Sequence, residues 1–195
     1  MIRMLTGLWR KRRILPCWTA AVAAMLLPGV ARAAQPTPTQ YDVEAAYLVR
    51  FTEFLRFPPE ITSAPTLNIC VLGEDPFRDA LKKLSARERA GRQPIEAHST
   101  QTVNDLKGCA IVFLSSSESS QLDQDLKMLE GKDLLTVSDI PKFLEHGGMI
   151  QFLLEKDHVR FAINMNAVNR TRIGISSELI KVARHVVGGP GGSAP

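Results

Sequence analysis

The chain reads as an α/β protein: a three-layer, flavodoxin-like or Rossmann-like domain with a mixed sheet and a C-terminal β-hairpin followed by a helix. Three observations carry this reading. Leu67–Leu72 (Leu-Asn-Ile-Cys-Val-Leu) and Cys109–Leu114 (Cys-Ala-Ile-Val-Phe-Leu) are short, nearly unbroken apolar runs, as in parallel strands covered on both faces. Helical stripes alternate with such strands over most of the chain, the order expected of βα units. Near the C-terminus, Met149–Glu155 and Val159–Met165 are separated only by a few residues around Lys156-Asp157, a spacing that admits only an antiparallel hairpin.

Each element has its own warrant. From Asp42 to Phe57, residues Val43, Ala46, Tyr47, Phe51, Phe54 and Leu55 share a broad helical face, and Pro58-Pro59 ends the helix. Gly73 turns the chain after the Leu67–Leu72 strand. Asp75-Pro76 then fits an N-cap and first helical residue, ahead of the stripe Phe77, Ala80, Leu81 and Leu84. Pro94–Ala97 is a weaker strand, Thr102–Leu106 a helical turn and Cys109–Leu114 the strongest strand. Ser115 with Glu118 fits a capping box before the stripe Leu122, Leu126 and Leu129. Leu134–Val137 is a fourth strand, and Pro141–His146 a short helix closed by Gly147-Gly148. In the hairpin, Val159, Phe161, Ile163 and Met165 alternate with Arg160, Ala162 and Asn164. A last helix is predicted from Ser176 or Ser177 to about Val187, with Leu179, Val182, Ala183 and Val186 inward.

Residues 1–33 read as a secretion signal. Arg3, Arg10, Lys11, Arg12 and Arg13 form a basic head, Ile14–Val30 an apolar run, and Ala31-Arg32-Ala33 a small-x-small cleavage site. Pro16, Pro28 and Gly29 interrupt the run, which favours a cleaved signal over a retained anchor. Removing six of the 24 basic residues leaves 18 against 20 acidic ones, a net charge of −2 with histidines neutral. The basic character thus belongs to the targeting segment and gives no warrant for nucleic-acid binding. Residues 34–40 are a polar, Pro-rich lead expected to be disordered, and the Gly/Pro-rich stretch 188–195 a disordered tail. Residues 41–187 make one domain. Of the three cysteines, Cys70 and Cys109 remain after cleavage, both in an oxidising compartment. A structural disulfide between them is the natural reading, with two buried free thiols as the alternative.

Few residues are arranged for chemistry. Gly73-Glu74-Asp75 follows the first strand but has one glycine where dinucleotide binding uses three, and acids where a phosphate would sit. The loop Ser115–Ser120 offers hydroxyls and amides to an anion, yet serines equally cap helices and fill loops. His98, His146, His158 and His185 fall in different elements without metal-ligand spacing, and no G-x-S-x-G elbow is present. Neither catalysis nor a cofactor or metal is expected.

Three segments together resemble the YfiR-like family of periplasmic regulatory proteins. They are Tyr41–Pro58 with its Ala-Ala-aromatic pattern and aromatic-Pro stop, Leu67–Gly73 with Asp75-Pro76-Phe77, and the stretch from Gly147-Gly148-Met149-Ile150 through Phe161-Ala162-Ile163-Asn164 to Ile173–Ala183. The resemblance implies a protein that binds the periplasmic sensor portion of an inner-membrane diguanylate cyclase and holds it inactive, lowering cyclic-di-GMP and biofilm formation. It implies an OmpA-like outer-membrane lipoprotein as sequestering partner, a homodimer, and a disulfide at the positions of Cys70 and Cys109. Ala162 departs from the family pattern, where an acidic residue is expected, and a second cysteine pair is missing.

The contact surface is expected on the C-terminal hairpin and the segment after it. Ile150 and Ala162, close to opposite one another, and Val168 are the candidate partner-facing residues; the alternative is that all three pack under the final helix. Two other functions stay open: a periplasmic accessory subunit of a sensor kinase or other receptor, and a solute-binding protein or enzyme using Ser115–Ser120.

Overall fold

The structure is a computed structural model that describes residues 37–189. The predicted signal segment, most of the lead and residues 190–195 lie outside the described residues. Helix α1 (Gln40–Phe54) starts earlier than its apolar stripe because Thr39 caps it: the Thr39 hydroxyl accepts from Asp42 N, while the Asp42 carboxylate accepts from Thr39 N at 2.7 Å. It also ends before the prolines, as β1 (Leu55–Arg56) turns extended to pair antiparallel with Gly174–Ile175. A single turn α2 (Pro59–Thr62), with proline in its first turn, leads to β2 (Leu67–Leu72), whose bounds match the apolar run.

After β2 the chain makes turns before α3 (Ala80–Ser85) begins. Asp75 accepts from Phe77 N at 2.8 Å but opens a turn rather than a helix, because Arg78 at φ 54° cannot continue one. Next come β3 (Arg89–Ala90) and β4 (Gln93–Thr100), a tight hairpin, then a 3-10 turn at Val103–Leu106 and β5 (Cys109–Leu114). Ser115 makes no side-chain cap. Residues Ser116–Ser120 form a 3-10 turn, and α4 (Leu122–Leu129) follows with Leu122, Leu126 and Leu129 buried as its stripe predicts. β6 (Leu135–Ser138) follows, parallel to β5.

Pro141–Gly147 forms successive turns instead of the expected helix, since Lys142 sits at φ 62°. Gly148 is required beside it: a Cβ there would lie 2.2 Å from the Phe143 ring. The predicted hairpin is present as β7 (Ile150–Glu155) and β8 (His158–Asn164), with Lys156 and Asp157 at φ 48° and 64° in the two-residue turn. A turn α5 (Met165–Val168), β9 (Gly174–Ile175), α6 (Ser177–Val182) and β10 (Val186–Val187) finish the domain. The last helix is therefore shorter than predicted. Arg184 N donates to Phe161 O and Ile163 N to His185 O, so β-branched Val186 and Val187 extend the open edge of β8 as a strand. Val182, read as inward, is 68% exposed.

The main sheet has the order β10-β8-β7-β6-β5-β2-β4-β3 and is mixed. β4, β2, β5, β6 and β7 run parallel, β7 and β8 antiparallel, and β10 parallel to β8. Apolar side chains fill both faces. One core joins α1 and α3 to the sheet through Phe51, Phe77, Phe113, Phe152 and Phe161; the other gathers Leu122, Leu126, Leu129 and Phe143 around α4. A three-layer α/β fold results.

Cys70 on β2 and Cys109 on β5 are bonded, with Cα atoms 5.9 Å apart, inside the second core. The bond closes a separation of 39 residues, a loop worth about 4 kcal/mol by the chain-entropy account. Replacing both cysteines with alanine should therefore lower the stability measured by urea unfolding by an amount of that order. Non-reduced peptide mapping should recover the linked pair; two free thiols would refute it.

Candidate partner-binding surface

Open α/β sheets place ligands beyond the carboxyl ends of their strands, where strand order reverses. Here that point lies between β2 and β5, and the protein's own carboxylate fills it. A Cβ on Gly73 would lie 2.3 Å from both Glu118 Oε1 and Ser117 Oγ. Ser117 Oγ accepts from Glu74 N and donates to Glu118 Oε1 at 2.8 Å, while the Gln121 amide donates to the other Glu118 oxygen. Ser119 donates to Ser116 O. Ser117 and Ser119 thus spend their hydroxyls on neighbouring backbone and on a buried carboxylate. An anionic ligand would meet repulsion there, and burial together with Glu118 also raises the pKa of nearby Asp125.

A second buried acidic group ties α1 to the end of β6. Glu44, fully buried, accepts from Gln40 Nε2 at 2.7 Å through one oxygen, and its Oε2 has no partner. Tyr41 Oη donates to Asp139 Oδ2 at 3.2 Å, and Asp139 Oδ1 is likewise unpartnered. Burial pushes Glu44 up to about 7, the Gln40 hydrogen bond opposes this, and the Asp139 charge adds to it. Burial raises Asp139 as well. By sequence Glu44 and Asp125 fall on polar helix faces, yet both are buried, because i, i+3, i+4 spacing alone does not reveal that both sides of a helix are covered.

At the C-terminal hairpin the partner-facing candidates are inside the protein. Ile150 is 0% exposed, Ala162 1% and Val168 1%. Ile150 pairs with Ile163, and Ala162 with Gln151. The one-residue offset from the expected register sends Ile150 into the α1-side core and Ala162 into the α4-side core. These residues build the hairpin and present nothing to solvent. Asn164, from the motif Phe161–Asn164, is likewise structural: its side chain accepts from Ala167 N as the cap of α5 and donates to Leu144 O at 3.1 Å.

What the region does expose is different. Leu154 near the hairpin tip is 55% exposed and borders a shallow cavity of about 440 Å³ with Val43, Tyr47, Val159 and Arg160. Arg184 pairs with Glu155 at 3.0 Å, fastening the segment after α6 to the end of β7. Arg172 donates to Asp133 through its backbone N and its guanidinium, which holds that carboxyl below its usual range, and to Glu60 at 3.0 Å, whose carboxyl is lowered first by its own backbone N–H and then by Arg172. Among the described residues no group of three or more His, Cys, Asp or Glu is placed to hold a metal.

The result is a disulfide-stapled α/β domain whose crevice at the strand-order reversal is filled from within and whose large exposed apolar side chains, Met128, Leu154 and Val182, lie on α4, the hairpin and α6. A family model described as YfiR/HmsC-like matches residues 41–184, and the chain belongs to that family. The family is regulatory and non-catalytic, and membership supports a periplasmic regulator of diguanylate cyclase at the family level. No helix among the described residues is long and apolar enough to cross a membrane. Among solved structures, the ABC domain in complex with L-Trp from Streptococcus pneumonia superposes with TM-score 0.51 at 10% identity, covering 73% of this chain and 60% of that one. A conserved domain protein from Vibrio cholerae O1 biovar El Tor gives 0.48 at 8%, covering 76% and 60%. The chain thus spans about 60% of either neighbour's length, and the first shows a shared fold alone.

Two expectations follow from these burials. Ala162→Arg should prevent stable folding, seen as loss of the cooperative urea transition, and Ile150→Ala should cost about 2–5 kcal/mol. Near-native unfolding of both would refute the core placement. For Glu44, the native state holds its proton to higher pH than the unfolded chain. Stability therefore falls as pH rises from the ordinary 4.5 through about 7, by about 3 kcal/mol, and stays lower above that. Glu44→Gln should flatten this slope and be more stable than wild type at pH 8 in urea titrations. A variant weakened equally at pH 5 and pH 8 would contradict the buried-charge account.

Proposed function

We propose that this chain is exported to the periplasm and represses an inner-membrane diguanylate cyclase by binding its periplasmic sensor portion. The observation that carries the reading is the family match over nearly the whole described domain. Bound repressor holds the cyclase inactive and keeps cyclic-di-GMP low; an OmpA-like outer-membrane lipoprotein relieves this by sequestering the repressor. The active form is a homodimer. Contact is made by the hairpin and the segment after it, through exposed groups rather than the buried Ile150, Ala162 and Val168. Leu154, Arg160 and Val182, all exposed, are the side chains this assigns to the partner. The self-filled crevice beside Ser115–Ser120 supports action by contact over solute binding at that loop.

Deleting the gene in a strain expressing its cyclase should raise intracellular cyclic-di-GMP, read by mass spectrometry of nucleotide extracts. An unchanged level would count against the cyclase as target. Leu154→Asp with Val182→Asp should abolish repression while the melting temperature stays near wild type. Full repression by that folded variant would remove the surface assignment.

A further inference from the structure

Two buried oxygens on different elements lack partners: Glu44 Oε2 on α1 and Asp139 Oδ1 just after β6. Both atoms are closed off from solvent, and an unsatisfied polar atom in such a place calls for an explanation. The two groups are coupled, since Asp139 is the charge that acts on Glu44. Tyr41 joins their elements. One turn before Glu44 on α1, it donates to the other Asp139 oxygen at 3.2 Å and packs edge-on against Phe77. Basic groups lie elsewhere. Within α1, Asp42 is committed to the Thr39 cap, and Arg78, ahead of α3, acts on Asp42. The charged groups of the other elements packed on α1 are Lys82 and Lys83 of α3, His158 and Arg160 of β8, and Glu178 and Lys181 of α6. All six are exposed, and among the described residues the bonds to the two carboxyl side chains come from Gln40 and Tyr41.

A carboxylate only accepts hydrogen bonds, whereas a protonated carboxyl also donates. One proton therefore supplies the donor that both orphan oxygens lack. We propose that Glu44 and Asp139 hold one proton between them, that it latches the first turns of α1 to the end of β6, and that its loss in alkaline surroundings lets those turns open while the sheet stays folded. Two carboxylates that share a desolvated site cannot both ionise without cost, so the latched state keeps its proton where an exposed pair would not. The later turns of α1 are held separately, by Tyr47 and Phe51 on Phe152 and Phe161, and release stops short of them. Gln40, which donates to Glu44 Oε1, and Val43 also line the cavity beside Leu154. The proton thus decides whether one wall of that cavity is in place, whatever partner meets it.

Native-state hydrogen exchange of the full processed chain tests this. The amides of Val43–Ala45 should lose about tenfold in protection between pH 6 and pH 8, after correction for intrinsic exchange. That is the factor given by a carboxyl that ionises at about 7 in the closed state and at the ordinary 4.5 in the open one. Low urea should leave this exchange nearly unchanged, the mark of a local opening, while amides of Cys109–Leu114 on β5 stay more protected and respond to urea. Glu44→Gln should remove the pH dependence. In Asp139→Asn, which keeps an acceptor for Tyr41, the Glu44 carboxyl should titrate at lower pH by carbon-13 NMR. No gain of exchange at pH 8, or a gain with the same urea dependence as β5, overturns the latch. A Glu44 midpoint unmoved by Asp139→Asn overturns the shared proton. If Glu44→Gln does not fold, the wild-type urea dependence and Asp139→Asn decide.

Discussion

Two residue pairs, Val137 with Ile150 and Ser138 with Gln151, make the whole strand pairing between the parallel half of the sheet and the C-terminal hairpin. Backbone hydrogen bonding across that seam is thin, with Met149 N to Thr136 Oγ1 the side-chain supplement. The burden falls on α1, which lies across it. Phe51 stacks on Phe152 and meets Phe161 edge-on at 5.2 Å, while Tyr47 reaches the same two rings from the next turn. On the parallel side Tyr41 packs against Phe77, and Phe77 against Phe113 at 4.7 Å. Aromatic pairs of this kind add about 0.5–1.5 kcal/mol each beyond the area they bury. The helix therefore holds the two halves in one body, and its buried Glu44 is a cost carried at that joint.

How much of this could be read from the sequence depends on how local the cause was. β2 and β5 were legible because an apolar run bounded by turn residues states its own limits. The hairpin was legible because only one connection fits so short a gap. The Cys70–Cys109 bond was legible because only two cysteines follow the predicted signal segment. What failed depended on distant partners. β1 exists only because Gly174–Ile175 returns to meet it, and α1 is cut short for that reason. α6 yields to β10 because the edge of β8 is vacant, a fact that no window around Val186 contains. Pro141–His146 had helical composition but lost to a left-handed backbone at Lys142.

The partner-facing residues failed for another reason. Resemblance marks positions that matter without saying why. Ile150, Ala162 and Val168 sit in the most specific segment, and it is packing that puts them there: two of them on opposite faces of one hairpin fill two different cores. A strand alternates its faces residue by residue, and because both faces are covered here, an offset of one moves a side chain from one core to the other rather than to the surface. The disulfide held because Cys70 and Cys109 lie on neighbouring strands with their side chains in the same core.

This separates two ways a variant in the hairpin loses activity. A change at Ile150 or Ala162 acts through the fold: it opens a cavity or forces a charge into a core, and any effect on a partner follows from lost stability. A change at Leu154, Arg160 or Val182 touches solvent and leaves both cores intact. Arg184 lies between these cases, since its ion pair with Glu155 is exposed and energetically minor, yet its backbone N holds β8 through Phe161 O. Substituting its side chain removes only the exposed part of that fastening, because the backbone bond needs no particular residue. A loss of partner binding measured for a variant of this surface carries meaning only beside an unfolding curve for the same variant.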